Sequence, residues 1–171
     1  MELEPLSLAP DAGLPDGLLG ELTALYASNR DFHAISGDFP DPDAITSEQV
    51  AAALADELAV PGSTVLLGRS ERRLVGCAIT LDRHPDPADP DPWIGLLLVH
   101  ADCRRQGFGR TLAHAVEDRY RAAGRTAVRL AVLENNTDGL AFWTALGYQV
   151  IGHRRDRARG RPCAVLRKPL L

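Results

Sequence analysis

The chain has 171 residues, 45% hydrophobic and 25% charged, with mean hydropathy −0.12, a length that suits one globular domain, 1–171, with a sizeable core. Its longest uncharged apolar run, Trp93–Val99, falls well short of the about 20 residues that span a bilayer, and three scattered cysteines argue against a disulfide framework or a zinc module. The net charge of −4 hides an asymmetry, since residues 1–100 carry 5 Arg against 17 acids (−12) and residues 101–171 carry 14 basic groups against 6 acids (+8).

Glu2–Leu8 reads as a short first strand. Leu18, Leu19, Leu22, Leu25 and Tyr26 fall at helical spacing and predict a helix over about 16–29. Arg30–Ala44, rich in Asp, Gly and Pro, reads as a loop or a short irregular helix. Thr46 with Gln49 forms a capping box that starts a helix carrying Val50, Leu54 and Leu58 on one side, ended by Pro61-Gly62. Ser63–Arg69 and Arg73–Asp82 read as a hairpin about the polar turn Ser70–Arg72. Pro85, Pro87, Pro90 and Pro92 cannot supply regular ladder donors, so Arg83–Pro92 is expected to be an exposed extended loop.

Trp93–Val99 has the composition of a strand buried on both faces. A glycine-punctuated turn follows, then a helix over about 109–122 with Leu112, Ala113, Val116 and Tyr120 on one side. Ala127–Leu133 is a second buried strand. Thr137–Leu146 is a helix with Asp138 in its first turn and Gly147 as C-terminal cap, and Gln149–Arg157 with Cys163–Lys168 closes the chain as a hairpin. Helices mixed among strands in this order predict an α/β fold with a mixed, mostly antiparallel sheet of about seven strands flanked by four helices.

The segment from Leu97 to Arg110 holds the chemistry. A strand enters a turn with two glycines, and the turn opens a helix, so backbone N–H groups and the helix N-terminus converge on one point. Arg104, Arg105 and Arg110 add positive charge around it. That combination predicts an anion site, most naturally for a pyrophosphate. It is not a dinucleotide fingerprint, because the third glycine position is Leu112, and no Gly-Lys-Ser/Thr follows to make a Walker loop.

Arg104-x-x-Gly107-x-Gly109 after a strand ending in Val99 resembles the Arg/Gln-x-x-Gly-x-Gly/Ala signature of the GNAT superfamily of N-acetyltransferases. Asn135–Tyr148, with Phe142, Trp143 and Gly147-Tyr148, is similar to that family's second block, and the likeness covers residues 60–150. The resemblance implies acetyl-CoA as co-substrate, bound where the Val99 strand splays from the strand of Leu130, with no metal. It implies that Leu98 and Val99 hydrogen-bond the pantetheine and that Arg104, Arg105, Gly107, Phe108, Gly109 and Arg110 surround the pyrophosphate. Asn136 is then expected near the pantetheine arm, with Trp143 along it, while Phe142 is expected in the helix core rather than along the arm, since an apolar stripe usually packs.

Two departures stand out. Trp143 occupies the place of the family's usual tyrosine acid, and an indole N–H cannot protonate a thiolate near neutral pH. Gly95 occupies the place of a frequent carboxylate base. Asp91, at the entrance to the same strand, becomes the first candidate for a water-mediated base, ahead of Asp31 and Asp38. On the acceptor side Tyr26, Asp31, Phe32 and Asp38 suit a cationic amine with an apolar body, and His33 is expected at the surface. The expected protein is a cytoplasmic N-acetyltransferase acting on a small-molecule primary amine by direct attack, with no nucleic-acid or membrane partner and with a homodimer left open. The alternatives are a catalytically weak CoA-binding module, a nucleotide-phosphate enzyme using the same turn, transfer to a protein amine, and transfer of a longer acyl group.

Overall fold

The computed structural model describes residues 1–7 and 13–171. In chain order the elements are β1 (Glu2–Pro5), α1 (Asp16–Ser28), α2 (Arg30–Ser36), α3 (Ser47–Leu58), β2 (Ser63–Ser70), β3 (Arg73–Leu81), β4 (Trp93–Val99), a single 3-10 turn (Ala101–Cys103), α4 (Phe108–Ala122), β5 (Ala127–Leu133), α5 (Thr137–Ala145), β6 (Gln149–Arg155) and β7 (Pro162–Pro169). The strands form one seven-stranded sheet in the order β1-β2-β3-β4-β5-β7-β6. Only β4 and β5 run parallel; the other neighbours are antiparallel. The mixed α/β fold is as the sequence predicts, with five helices instead of four. The extra one is α2, within the segment read as a loop or irregular helix. The first strand ends at Pro5, and Leu8, its expected end, lies outside the described residues.

Alternation along the strands feeds two apolar layers. On one face Leu66, Ala78, Ile94, Leu130 and Leu166 pack under Leu112, Ala113 and Val116 of α4 and Trp143 of α5. On the other, Val65, Leu67, Cys77, Ile79 and Leu98 pack under Leu22 and Leu25 of α1 and Val50 and Leu54 of α3. Each fully buried leucine contributes about 1.5–3 kcal/mol by leaving water. The capping box of α3 forms as its sequence dictates: Gln49 N–H donates to Thr46 Oγ1 at 3.2 Å, and Thr46 N–H donates to Gln49 Oε1 at 2.9 Å.

The opening in the sheet comes from β4. Its register against β3 shifts between Ile94↔Thr80 and Leu96↔Ile79, so Gly95 is an extra residue in a bulge. A bulge bends its strand and raises its local twist. Pairing of β4 with β5 accordingly stops after Trp93↔Arg129 and Ile94↔Leu130. Beyond that point the strands diverge, which corrects the reading of β4 as buried on both faces: Gly95 is exposed and Leu96, Leu97 and Val99 are half-buried. His100 N–H donates to Val75 O at 2.8 Å. By antiparallel alternation Leu98 also faces β3, while Leu97 and Val99 turn their N–H and C=O toward the opening. On β5, Glu134 N–H on Pro162 O and Leu170 N–H on Thr126 O put the even-numbered residues against β7 and leave Ala131 and Leu133 facing the opening.

Candidate active site

The opening is a cleft of about 920 Å³, floored by Leu97 and Val99 on one side and Leu130–Leu133 on the other. That volume is in the range of a sizeable ligand. Leu98, expected to bond a ligand through its backbone, is instead paired with Cys77 in the sheet. The strand-edge role falls geometrically to Leu97 and Val99.

At one end of the cleft lies the turn into α4. Arg105 (φ +60°) and Gly107 (φ +86°) are both left-handed, the kind of backbone from which N–H groups can form an anion-binding concavity. A non-glycine residue at such a φ costs about 1–2 kcal/mol, so Arg105 is held there by its surroundings. A Cβ at Gly107 would meet nothing within 4 Å, whereas one at Gly109 would meet the Phe142 ring at 3.3 Å. The cradle is therefore open over Gly107 and closed by an aromatic wall over Gly109. The first N–H of α4 bonded within its own turn is that of Thr111, to Gly107 O at 3.0 Å; those ahead of it are the orphan donors of a helix N-terminus. Among the described residues Arg104, Arg105 and Arg110 carry no carboxylate partner. The turn thus has the shape and charge an anionic diphosphate needs. Phe108 is not among the residues that line the cleft.

The α5 side supplies Asn136, Phe142 and Trp143. Asn136 caps α5, its Oδ1 accepting from Gly139 N–H at 2.9 Å. Trp143 is buried and meets Phe142 and Tyr148 edge to face at 4.9 and 5.0 Å. Phe142, expected in the helix core, is half-buried and does both: it packs on the core and lines the cleft.

At the other end Asp31, Phe32, Ile35 and Asp38 come from α2 and the loop after it, and Asp156 and Arg161 from the β6–β7 hairpin. Arg161 bridges the two sides: it bonds Asp38 Oδ1 at 2.9 Å, Asp156 Oδ2 at 2.5 Å and Ser36 O at 2.5 Å. Arg159 reaches Gly37 O beside it. Both guanidinium groups thus sit at the C-terminus of α2, where the helix dipole favours cations.

Three expectations for this region are corrected. Tyr26 does not face the acceptor end; it is 3% exposed and stacks on His33 at 5.6 Å in the core. His33 is buried, not at the surface, with both ring nitrogens unpartnered, and burial holds it below the usual histidine range. Asp91 lies at the closed end of β4, outside the cleft lining. Its Oδ2 accepts from Arg129 Nε at 2.7 Å and Arg167 Nε at 2.9 Å. Burial pushes its carboxyl up, but Arg167 and Arg129 together outweigh that and hold it below the ordinary carboxylate value. A carboxylate gripped by two guanidiniums and out of reach of the cleft is a structural tie between β4, β5 and β7.

Asn29 was missed as a site residue, and Arg161, legible only as part of the basic run Arg154–Arg161 at a hairpin tip, lines the cleft and bonds Asp38. Asn29 ends α1, is 4% exposed and also lines the cleft. No spacing rule marks either residue, because their partners are up to 125 positions away. Among the described residues no cluster of His, Cys, Asp or Glu is placed to hold a metal ion, and no helix is long and apolar enough to cross a membrane.

The geometry agrees with three solved folds. An acetyltransferase from Thermus thermophilus aligns with TM-score 0.70 and 20% identity over 99% of this chain and 97% of that one. The ribosomal-protein-S18-alanine N-acetyltransferase from Escherichia coli aligns with TM-score 0.64 and 20% identity over 93% and 92%. An aminoglycoside 6'-N-acetyltransferase complexed with coenzyme A aligns with TM-score 0.62 and 15% identity over 100% and 98%. No curated protein sequence matches the chain. The sequence model of the acetyltransferase (GNAT) family matches residues 25–148, which include β4, the arginine turn, β5 and α5. The chain belongs to the GNAT family of acetyltransferases.

Proposed function

We propose that this protein is an acetyl-CoA-dependent N-acetyltransferase whose acceptor is the primary amine of a small cationic molecule. The observation that carries the reading is the β4–β5 opening joined to the arginine turn: two strand edges able to pair with an extended, amide-containing arm lead directly into an anion cradle. Bound acetyl-CoA supplies an activated thioester. Leu97, Val99, Ala131 and Leu133 present backbone groups along the arm, Arg105, Arg110 and the N-terminus of α4 neutralise the pyrophosphate, and Phe142 and Trp143 wall the arm from the side. Asp31 and Asp38 give the acceptor end its negative charge, and Phe32 and Ile35 give it an apolar wall.

In the transfer, the amine nitrogen attacks the thioester carbonyl carbon, the C–S bond breaks, the thiolate takes a proton and the amine gives one up. Trp143 cannot be the acid, Gly95 has no side chain to be the base and Asp91 lies elsewhere, which leaves Asp31 and Asp38 of the candidate carboxylates, both in the cleft lining, to receive the amine's proton through water. The chain therefore contributes position, which by itself can be worth several orders of magnitude in rate, while protons pass through solvent. The absence of the family's usual acid and base also favours a second reading, a CoA-binding module of weak activity. One experiment separates the two: incubation with acetyl-CoA and a panel of cationic, neutral and anionic amines, reading thiol release and acetylated product by mass. Transfer to cationic amines is expected. CoA binding with no product across the panel establishes the module instead, and transfer confined to anionic amines overturns the acceptor assignment.

A further inference from the structure

Asn29 is placed where the acceptor-side helices meet the cofactor end of the cleft, and all its side-chain hydrogen-bonding groups are in use. Its Nδ2 donates to Leu25 O at 2.9 Å and to Val99 O at 3.1 Å, and its Oδ1 accepts from Arg104 NH2 at 2.7 Å. The partners fix which end of the amide is which, since only oxygen can accept from a guanidinium and only nitrogen can donate to two carbonyls.

Both long-range contacts reach the cleft. Val99 C=O is turned toward the opening, and Asn29 occupies it, so the exposed edge of β4 ends at the Val99 N–H. Arg104 is the first arginine of the turn and has no carboxylate partner among the described residues; Asn29 holds one end of its guanidinium and so sets the direction of the rest. A buried amide that holds a charged donor this way makes a charge-assisted bond, stronger than a neutral pair.

Resting on the CoA reading of the cleft, we propose that Asn29 is a positioning residue for the co-substrate: it aims Arg104 at the pyrophosphate end and stops the strand-like pairing at Val99. It touches no reacting atom. Its effect passes through Arg104 and the backbone of β4, so it should alter affinity for CoA and leave the chemical step nearly unchanged.

The test is a double-mutant cycle read by calorimetric titration with CoA, using Asn29→Ala, Arg104→Ala and the pair. Asn29→Ala and Arg104→Ala should each weaken CoA by about tenfold, the scale of a hydrogen bond to a charged group, and the double variant should lose little more than either alone. In turnover, the KM for acetyl-CoA should rise with kcat within about twofold. Asn29→Ser covers the case in which the alanine variant fails to fold: its hydroxyl can still bond Leu25 O within the helix but falls short of Arg104, so it should lose the same affinity. Losses that simply add, or a folded Asn29→Ser that binds CoA as the unaltered protein does, would overturn the role of Asn29 while leaving the CoA reading intact. An unaltered protein that does not bind CoA overturns both.

Discussion

Trp143 presents a large aromatic surface where a proton donor would be expected, and its packing against Phe142 and Tyr148 accounts for its place in the core. Trp143→Phe keeps most of that surface, so turnover should fall by no more than about tenfold, or 1.4 kcal/mol of barrier; a loss of several orders of magnitude in steady-state assays would mean the indole takes part in proton transfer. Trp143→Ala should instead lower stability by about 3–5 kcal/mol, the usual cost of emptying a buried aromatic site. His33 makes a different prediction. It sits among Tyr26, Phe32 and Phe39 with Asp38 near, its ring nitrogens unpartnered. Its pKa is depressed in the folded state, so the unfolded chain binds the extra proton first. The stability it supports is whole above the unfolded value of about 6.5 and is lost as pH falls below it. His33→Phe keeps the ring and removes the titration. Denaturant melts between about pH 5 and pH 7 should show a flatter stability profile for that variant, and a profile parallel to the unaltered protein's would show that His33 is not the group responsible.

At the scale of elements, the site depends on two local irregularities, the bulge at Gly95 and the left-handed turn at Arg105 and Gly107. The turn can be tested without confusing charge with backbone strain. Any side chain at φ +86° is strained, and Asn and Asp tolerate that region better than other residues. Gly107→Asn and Gly107→Asp are nearly equal in shape and differ by one charge in a cradle with open space above it. Their melting temperatures should be similar, while the aspartate variant should bind CoA at least about tenfold more weakly than the asparagine one, as like charges at close range require. Equal CoA affinities in the two variants would place the pyrophosphate elsewhere.

Across the whole molecule the acidic first hundred residues and the basic remainder do not separate into two surfaces. Asp38 pairs with Arg161, Asp89 with Arg129, and Asp91 with Arg129 and Arg167, so three acids of the first part are cross-linked to arginines of the second. Inside the cleft a polarity survives, with three arginines at the turn and, at the far end, Asp31, Asp38 and Asp156 against the single Arg161. Raising the salt from about 0.1 M to 1 M shortens the screening length from about 10 Å to 3 Å, and CoA affinity measured by titration should fall over that range. An affinity insensitive to salt would remove the arginines of the turn from binding.

Helix and strand positions, the capping box at Thr46, the glycine-punctuated turn into α4 and the family signature were all legible in the sequence, because each is set by residues within a few positions of one another through periodicity, capping or backbone freedom. The sequence left α2 undecided between a loop and a short helix, because local propensity is weak in its Asp- and Gly-rich surroundings and packing of His33 and Ser36 decides. What only the tertiary structure decided concerns partners far apart in the chain. Asp91 looked like a free carboxylate at a strand entrance until Arg129 and Arg167 closed on it; Tyr26 looked like an acceptor-side group and His33 like a surface one until α1 and α2 turned them inward. The single-residue bulge in β4 exchanged Leu98 for Leu97 at the cleft edge, since a shift of one residue reverses which side every following backbone group faces. Asn29 and Arg161 gained their places for the same reason: a hydrogen bond across 75 or 125 positions leaves no periodic trace, and only the folded chain brings its two ends together.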